Sequence, residues 1–180
     1  MDGKIGKSKN LDDSEDNLRD FSFEDSEASR HLFIHRQTTE YSRPFCIVRY
    51  QVFSGKNQYE EKTSFAQAIL KVKVGESTIV EGAEGLGPLD ALYIALRKAL
   101  TQYFPRIEQL RLADYNVRIC DREGGTGVRI LVEIEMSNGV RKWKTAGVST
   151  NLIEASWEAL VDAIEYDLLV AKSEVEFQKP

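Results

Sequence analysis

What this sequence lacks narrows its chemistry before any motif is read. It has two histidines, His31 and His35, both near the N-terminus, so the rest of the chain has no imidazole to act as base or metal ligand. The pair stands four apart and would share a helix face, but no neighbouring acid completes a ligand set, and no metal site or cofactor is expected. Cysteine is scarce too. Cys46 and Cys120 lie in apolar, strand-like stretches with no CxxC partner, which predicts buried, reduced thiols and a reducing compartment, cytoplasmic or plastid-stromal. No apolar run approaches the roughly twenty residues of a membrane span, and the acidic, polar start is not a secretory signal. No lysine or arginine cluster offsets a net charge of −5, which argues against a nucleic-acid partner.

What is present is one domain's worth of apolar sequence. Residues 1–44 are rich in Asp, Glu, Ser, Lys and Asn and are expected to form a disordered acidic tail, its one apolar island running from His31 to His35. A strand is predicted at Phe45–Phe53 and a turn at Ser54–Asn57. Ala66, Ala68, Leu70, Val72 and Val74 then alternate with Gln67, Lys71 and Lys73 as a half-buried strand ending at Gly75. Thr78–Val80 reads as a short third strand. It passes through a glycine-rich turn into a helix with Leu89, Leu92, Tyr93, Leu96 and Leu100 at helical spacing.

That turn is the best functional clue. Gly87 suits the helix cap and Pro88 the first helical position, where a missing N–H does no harm. The free N–H groups of the first turn and the positive end of the helix dipole then face the turn, and an anion is the natural occupant; the plainer alternative is a tight corner with no ligand.

The second half repeats the first. A strand is predicted from Ile107 to Ile119, a turn at Asp121–Gly125 and an alternating strand through Ile130, Val132, Ile134 and Met136. A turn at Ser137–Gly139 leads to a strand around Trp143 and then a helix from about Leu152. A shift of 64 residues superposes Gly75 on Gly139, Asp90 on Glu154, Ala91 on Ala155, Tyr93 on Trp157 and Leu96 on Leu160. With one extra loop residue, Tyr50-Gln51-Val52 falls on Tyr115-Asn116-Val117, while Gly87 matches Asn151, with Glu154 where a capping box places its acid. The expected fold is α+β: duplicated βββα units at 45–104 and 105–172 with pseudo-two-fold symmetry, helices on one side of the sheets, and a disordered C-terminus at 173–180.

Three stretches carry a family resemblance: Gly85-Leu86-Gly87-Pro88-Leu89-Asp90-Ala91-Leu92, Leu112-Ala113-Asp114-Tyr115-Asn116-Val117, and Gly147 to Trp157. Together they closely resemble the C-terminal regulatory domain of the isopropylmalate and citramalate synthases, over about Phe45 to Lys172. The resemblance implies a homodimer that binds leucine or isoleucine as a feedback effector. It implies a site in which Gly85, Gly87 and Pro88 offer backbone to the carboxylate and Asp90 takes the ammonium, with Leu89, Leu112, Tyr115, Ile119, Thr126 and Val128 forming the apolar wall. The same residues have plainer readings: Asp90 as an acid favoured by the helix dipole, Leu112, Tyr115 and Ile119 as strand core, Asp114 as an ion-pair partner of an arginine, and Tyr93 and Trp157 as core or dimer packing.

The family's catalysis resides on a separate α/β barrel with a bound divalent metal, and a chain of 180 residues is too short to hold one beside this domain. No catalytic activity is therefore expected of the chain alone. It reads either as a free-standing regulatory subunit acting on a synthase in trans, toward which Met1 and the polar tail lean, or as a fragment of one. Two other readings compete with effector binding. One is a dimerising assembly protein that has lost its pocket, which Leu86 between the glycines favours; the other is an enzyme using Asp90, Asp114 or Glu154, which has no nucleophile or histidine in the folded region to help it.

Overall fold

The computed structural model describes residues 26–56, 64–120 and 128–177. Among the described residues three α-helices and six strands follow in order, with a short 3-10 turn between the second helix and the fourth strand: α1 (Glu27–His35), β1 (Cys46–Lys56), β2 (Ser64–Val74), β3 (Ser77–Gly85), α2 (Pro88–Thr101), β4 (Arg111–Ile119), β5 (Ile130–Ser137), β6 (Lys142–Ser149) and α3 (Leu152–Phe177). The strands make two antiparallel sheets in the orders β1-β2-β3 and β4-β5-β6. α2 lies on β2 and β3, α3 on β5 and β6, and α1 against β6 and α3. The α+β class and the duplicated βββα plan therefore hold.

The alternation read from β2 is the physical reason for this layering. Ala66, Ala68, Leu70 and Val72 are buried beneath α2, and Val132, Ile134 and Met136 of β5 are buried beneath α3. On α2 the stripe Ala91, Leu92, Ala95, Leu96, Ala99 and Leu100 is fully buried; its alanines bring the helix backbone close to the sheet while each leucine contributes about 1.5–3 kcal/mol by leaving water. Both units feed one continuous core, in which Trp157 of α3 meets Tyr50 of β1 with ring centroids 5.3 Å apart.

The duplication extends to backbone irregularities. Gly75 and Gly139, 64 residues apart, both take positive φ (55° and 86°) in the β2–β3 and β5–β6 turns, a region where a side chain is strained. The pairing register slips between Ile47 and Arg49 in β1 and, 65 residues on, between Leu112 and Asp114 in β4. Equivalent bulges place Tyr50 and Tyr115 on the helix-facing side of their sheets.

Several boundaries differ from expectation. The expected tail is not without structure to residue 44: α1 buries Ala28 and Leu32, and its buried Ser29 Oγ accepts the Ala146 N–H of β6 at 2.9 Å, closing an otherwise open sheet edge. Ser54–Lys56 continue β1 rather than turning, and β3 runs to Gly85 because Glu81–Gly85 pair along β2. Ile107 and Leu110 are buried from a 3-10 turn, Pro105–Gln109, not from a strand; Pro105 fixes φ where that turn begins. The backbone of α3 stays helical to Phe177, into the expected disordered end. Cys46, at the start of β1, and Cys120, just after β4, form no disulfide and are exposed rather than buried, since each lies at the end of the strand least covered by the helices. The turn expected at Asp121–Gly125 lies outside the described residues.

What sequence periodicity concealed is that α3 is also a polar clasp. Glu165, 1% exposed, receives Arg36 at 2.7 and 3.1 Å together with the Tyr41 hydroxyl, while Asp162 pairs with Arg36 at 2.6 Å. Two residues on, the fully buried Asp167 holds Arg106 at 2.8 and 3.2 Å and the Asn138 amide at 3.1 Å, tying the 3-10 turn and the β5–β6 turn to the same helix. His31 and His35 serve packing, edge-on to Tyr166 and Tyr41 respectively.

Burial raises the Asp162 carboxyl above the usual carboxylate range, more than the attraction of Arg36 lowers it. An acid whose pKa is higher in the folded state opposes folding once ionised; that penalty is full above the folded pKa and vanishes below the unfolded one. Asp162→Asn should therefore leave the melting temperature at pH 7 unchanged or raise it. Arg36→Met, which leaves the buried Glu165 only the Tyr41 hydroxyl and Arg43 at 3.7 Å, should lower it by roughly 4–8 °C, corresponding to about 2 kcal/mol. Equal losses in the two variants, compared by thermal melting, would contradict this account of the clasp.

Candidate functional site

The two helix starts are equivalent in sequence but are built differently. At the start of α3, Asn151 Oδ1 accepts the N–H groups of Ile153 (2.8 Å) and Glu154 (3.4 Å). The Asn151 N–H goes to Ser149 Oγ at 3.1 Å, and that hydroxyl donates to Glu154 Oε2 at 2.9 Å, so the predicted capping box closes through a serine. At the start of α2 the cap is Gly87, in extended backbone, with Pro88 behind it and no side-chain cap. Pro88 has no N–H and the Ala91 N–H goes to the Gly87 carbonyl at 3.0 Å, which leaves the N–H groups of Leu89 and Asp90 without a capping side chain.

Asp90 belongs to this turn. Its Oδ2 accepts the Leu86 N–H at 2.9 Å, which fixes an exposed carboxylate beside the uncapped helix end while Leu86 itself projects into solvent. Gly85 has a packing role: a Cβ there would lie 2.5 Å from the Ala91 N and 2.8 Å from Asp90 Oδ2. Gly147 plays the matching part in the second unit, where a Cβ would lie 2.1 Å from the Ala155 carbonyl oxygen. At Gly87 a Cβ would meet nothing within 4 Å. Leu89 is half-buried against the core.

The remaining predicted residues lie on another element. Leu112, Tyr115 and Ile119 stand opposite Met136, Ile134 and Ile130, so they share the helix-facing side of the sheet with the buried β5 residues. Yet Leu112 is 44% exposed, Tyr115 37% and Ile119 65%, with Val117 between them at 43%, because α3 covers β5 and β6 and stops short of β4. Val128 is half-buried just ahead of β5, and Thr126 lies outside the described residues.

Tyr115 reaches the start of α3 rather than that of α2. Its hydroxyl sits 2.6 Å from Ser156 Oγ, and Ser156 in turn donates to the Leu152 carbonyl at 2.6 Å, so Tyr115 is the donor and retains only acceptor capacity. Within one chain the predicted residues thus form two groups, the α2 turn from Gly85 to Asp90 and the open face of β4. Sequence reasoning missed Ser156 and Tyr50, which converge on the α3 start; burial raises the Tyr50 hydroxyl pKa, and Glu154 adds to it. The duplicated Tyr50 and Tyr115 were the available signal. Asp114, considered as an arginine partner, instead accepts the N–H of Tyr115 at 2.9 Å beside the bulge.

Fold and site together define a duplicated βββα domain in which, of the two equivalent helices, α3 has a side-chain cap and α2 has none, and in which β4 is an exposed apolar strand among the described residues. The profile of the LeuA allosteric (dimerisation) domain matches residues 25–168, and the chain belongs to that family. It is 41% identical to the (R)-citramalate synthase of Synechocystis over 150 residues, covering 82% of this chain and 27% of that protein. It is 38% identical to the (R)-citramalate synthase of Aquifex aeolicus, covering 86% and 29%, and 30% identical to the 2-isopropylmalate synthase of Pseudoalteromonas atlantica, covering 57% and 18%. The chain thus spans less than a third of the length of these relatives. Among the described residues no helix is long and apolar enough to cross a membrane.

The two glycines of the turn should respond oppositely to a methyl group. Gly85→Ala forces backbone apart and should lose about 1–3 kcal/mol, whereas Gly87→Ala should stay within about 0.5 kcal/mol of the parent. Urea denaturation of both variants is the check, and equal stabilities would mean that the strand-to-helix contact at Gly85 is not as tight as described.

Proposed function

We propose that this domain binds a branched-chain α-amino acid, leucine or isoleucine, at the start of α2, and that as a homodimer it conveys the level of that amino acid to a synthase of the isopropylmalate or citramalate type. The observation that carries the reading is the contrast between the duplicated helix starts: α3 satisfies its first-turn N–H groups with Asn151, and α2 leaves its own to Gly87. An amino-acid carboxylate fits those donors and the positive end of the dipole. The Asp90 carboxylate, anchored by Leu86, repels a phosphate and attracts an ammonium.

The apolar side chain needs a wall that the α2 turn does not itself supply. The open face of β4 offers Leu112, Tyr115 and Ile119, and a second copy of the chain is the partner that brings such a face to the α2 turn while covering Val117. Membership of a dimerisation-domain family and the names of the relatives support both parts. In this reading the acyl-transfer chemistry belongs to residues outside this domain, in the same polypeptide or in a partner synthase. The alternative, a dimerising assembly module without effector binding, draws on Leu86, which is 88% exposed between the glycines.

Leucine or isoleucine at a hundredfold excess over its dissociation constant should raise the melting temperature by about 5–10 °C, corresponding to about 2.7 kcal/mol. Gly87→Asp, which supplies the missing cap from a side chain, should fold normally and lose that response. No shift with leucine, isoleucine or valine would remove effector binding and leave the assembly reading. Ile119→Lys should convert the dimer to monomer in light scattering, and a dimer of unchanged stability would place the interface elsewhere.

A further inference from the structure

A groove of about 690 Å³ opens between the second half of α2 and the segment that joins it to β4, away from the uncapped helix start. Its helical wall carries Ile94, Arg97, Lys98 and Thr101, one face at spacings of three and four, and its other wall carries Glu108 and Arg111. Three cations therefore face one carboxylate, in a chain whose net charge is −5. The helix dipole accounts for Lys98, in the last turn of α2, whose ammonium reaches only the Gly82 carbonyl at 3.4 Å. It does not account for Arg111, which sits outside the helix, or for the way Arg97 is held.

Arg97 lies over the Tyr93 ring, 5.5 Å from its centroid, and the Tyr93 hydroxyl donates to the Leu110 carbonyl at 2.9 Å, so the base of the groove is fixed. In that position the Arg97 Nε–H is shut off from solvent and finds no acceptor. Arg111 is braced on the same carbonyl, donating through Nη1 to the backbone oxygens of Leu110, at 2.8 Å, and of Glu108, which leaves Nε and Nη2 to point elsewhere. Two guanidinium groups braced from opposite walls match the planar, forked geometry that recognises carboxylate and phosphate groups.

We propose that this groove is a binding site for a small organic dianion, separate from the amino-acid site at the other end of the same helix. Arg97 and Arg111 clamp the anionic groups, Lys98 adds charge, and Ile94 and the Thr101 methyl contact the carbon skeleton. The excess of two positive charges sets the preferred ligand charge near −2, and the volume admits a skeleton of several carbons.

The test is an NMR titration of the full chain at constant ionic strength, with malonate and citrate in one arm, inorganic phosphate and pyrophosphate in the other, and sodium chloride as control. Saturable shifts of the amides of residues 94–102 and 108–111 are expected from at least one arm, and the responding arm identifies carboxylate or phosphate as the recognised group. Arg97→Met and Arg111→Gln should each weaken binding at least tenfold, while Arg97→Lys should retain part of it; circular dichroism checks that each variant is folded. Shifts that grow linearly and equally with sodium chloride, that map elsewhere, or that survive both substitutions in folded protein would overturn the proposal.

Discussion

One helix is narrower than a three-stranded sheet. Strands lie about 4.8 Å apart and a helix with its side chains is about 10–12 Å across, so a single helix covers roughly two strands. Each βββα unit inherits that mismatch. α2 takes β2 and β3, α3 takes β5 and β6, and the first strand of each sheet is left over. In the first unit the remainder is partly closed from within, since Trp157 of α3 reaches Tyr50 of β1. In the second unit the Tyr115 hydroxyl reaches Ser156 of α3, but among the described residues the rest of the apolar row of β4 has no cover on the helix-facing side. Among the described residues that strand is an exposed apolar face of the kind that suits an interface, in a chain that belongs to a dimerisation-domain family.

Duplication then acts as an internal control. Features present in both halves, the bulges at Ile47/Arg49 and Leu112/Asp114 and the positive-φ glycines Gly75 and Gly139, are what the βββα unit needs in order to fold. Features present in one half need another explanation. The side-chain cap belongs to α3 alone, and its acids Asp162, half-buried, and Glu165 and Asp167, buried, have as counterparts at the same shift Lys98, Thr101 and Tyr103, none of them acidic. The acids have a structural account, because α3 must hold α1, the 3-10 turn and the β5–β6 turn at once. The missing cap on α2 has no such account, and a folding argument alone predicts a serine or asparagine at Gly87.

The layering was legible in the sequence because it rests on periodicity. Alternation in β2 and β5, the stripe on α2 and the shift of 64 all follow from which side chains avoid water. Where the structure departed from expectation, a contact distant in sequence prevailed. α1 is too short and polar to predict from its own residues, and it forms because Leu32 finds the core and Arg36 finds Glu165, 129 positions away. Ile107 and Leu110 alternate poorly for a strand and suit the three-residue repeat of a 3-10 turn, a distinction Pro105 marks but does not settle. Within the site, the α2 turn was legible because capping is local. The hydroxyl of Tyr115 was not, because its partner Ser156 lies 41 residues on, and nothing in the local sequence says which helix start a strand residue will meet.

In the proposed readings the two ends of α2 would select different kinds of ligand. A helix end attracts charge of the opposite sign, so an acid near the start and a base near the end stabilise any helix, and Asp90 and Lys98 alone would be unremarkable. Selectivity comes from what remains unsatisfied once the dipole is served. At the start, the carboxylate already engages Leu86 while the first-turn N–H groups lack a cap, so both signs of charge are on offer within a few ångströms, and a zwitterion answers both where a phosphate answers one. Toward the end, guanidinium groups outnumber the single carboxylate, so only an anion answers. In both proposed readings the free groups are N–H donors, and what would separate the ligands is the charge beside them, the Asp90 carboxylate at the start of α2 and an excess of cations in the groove.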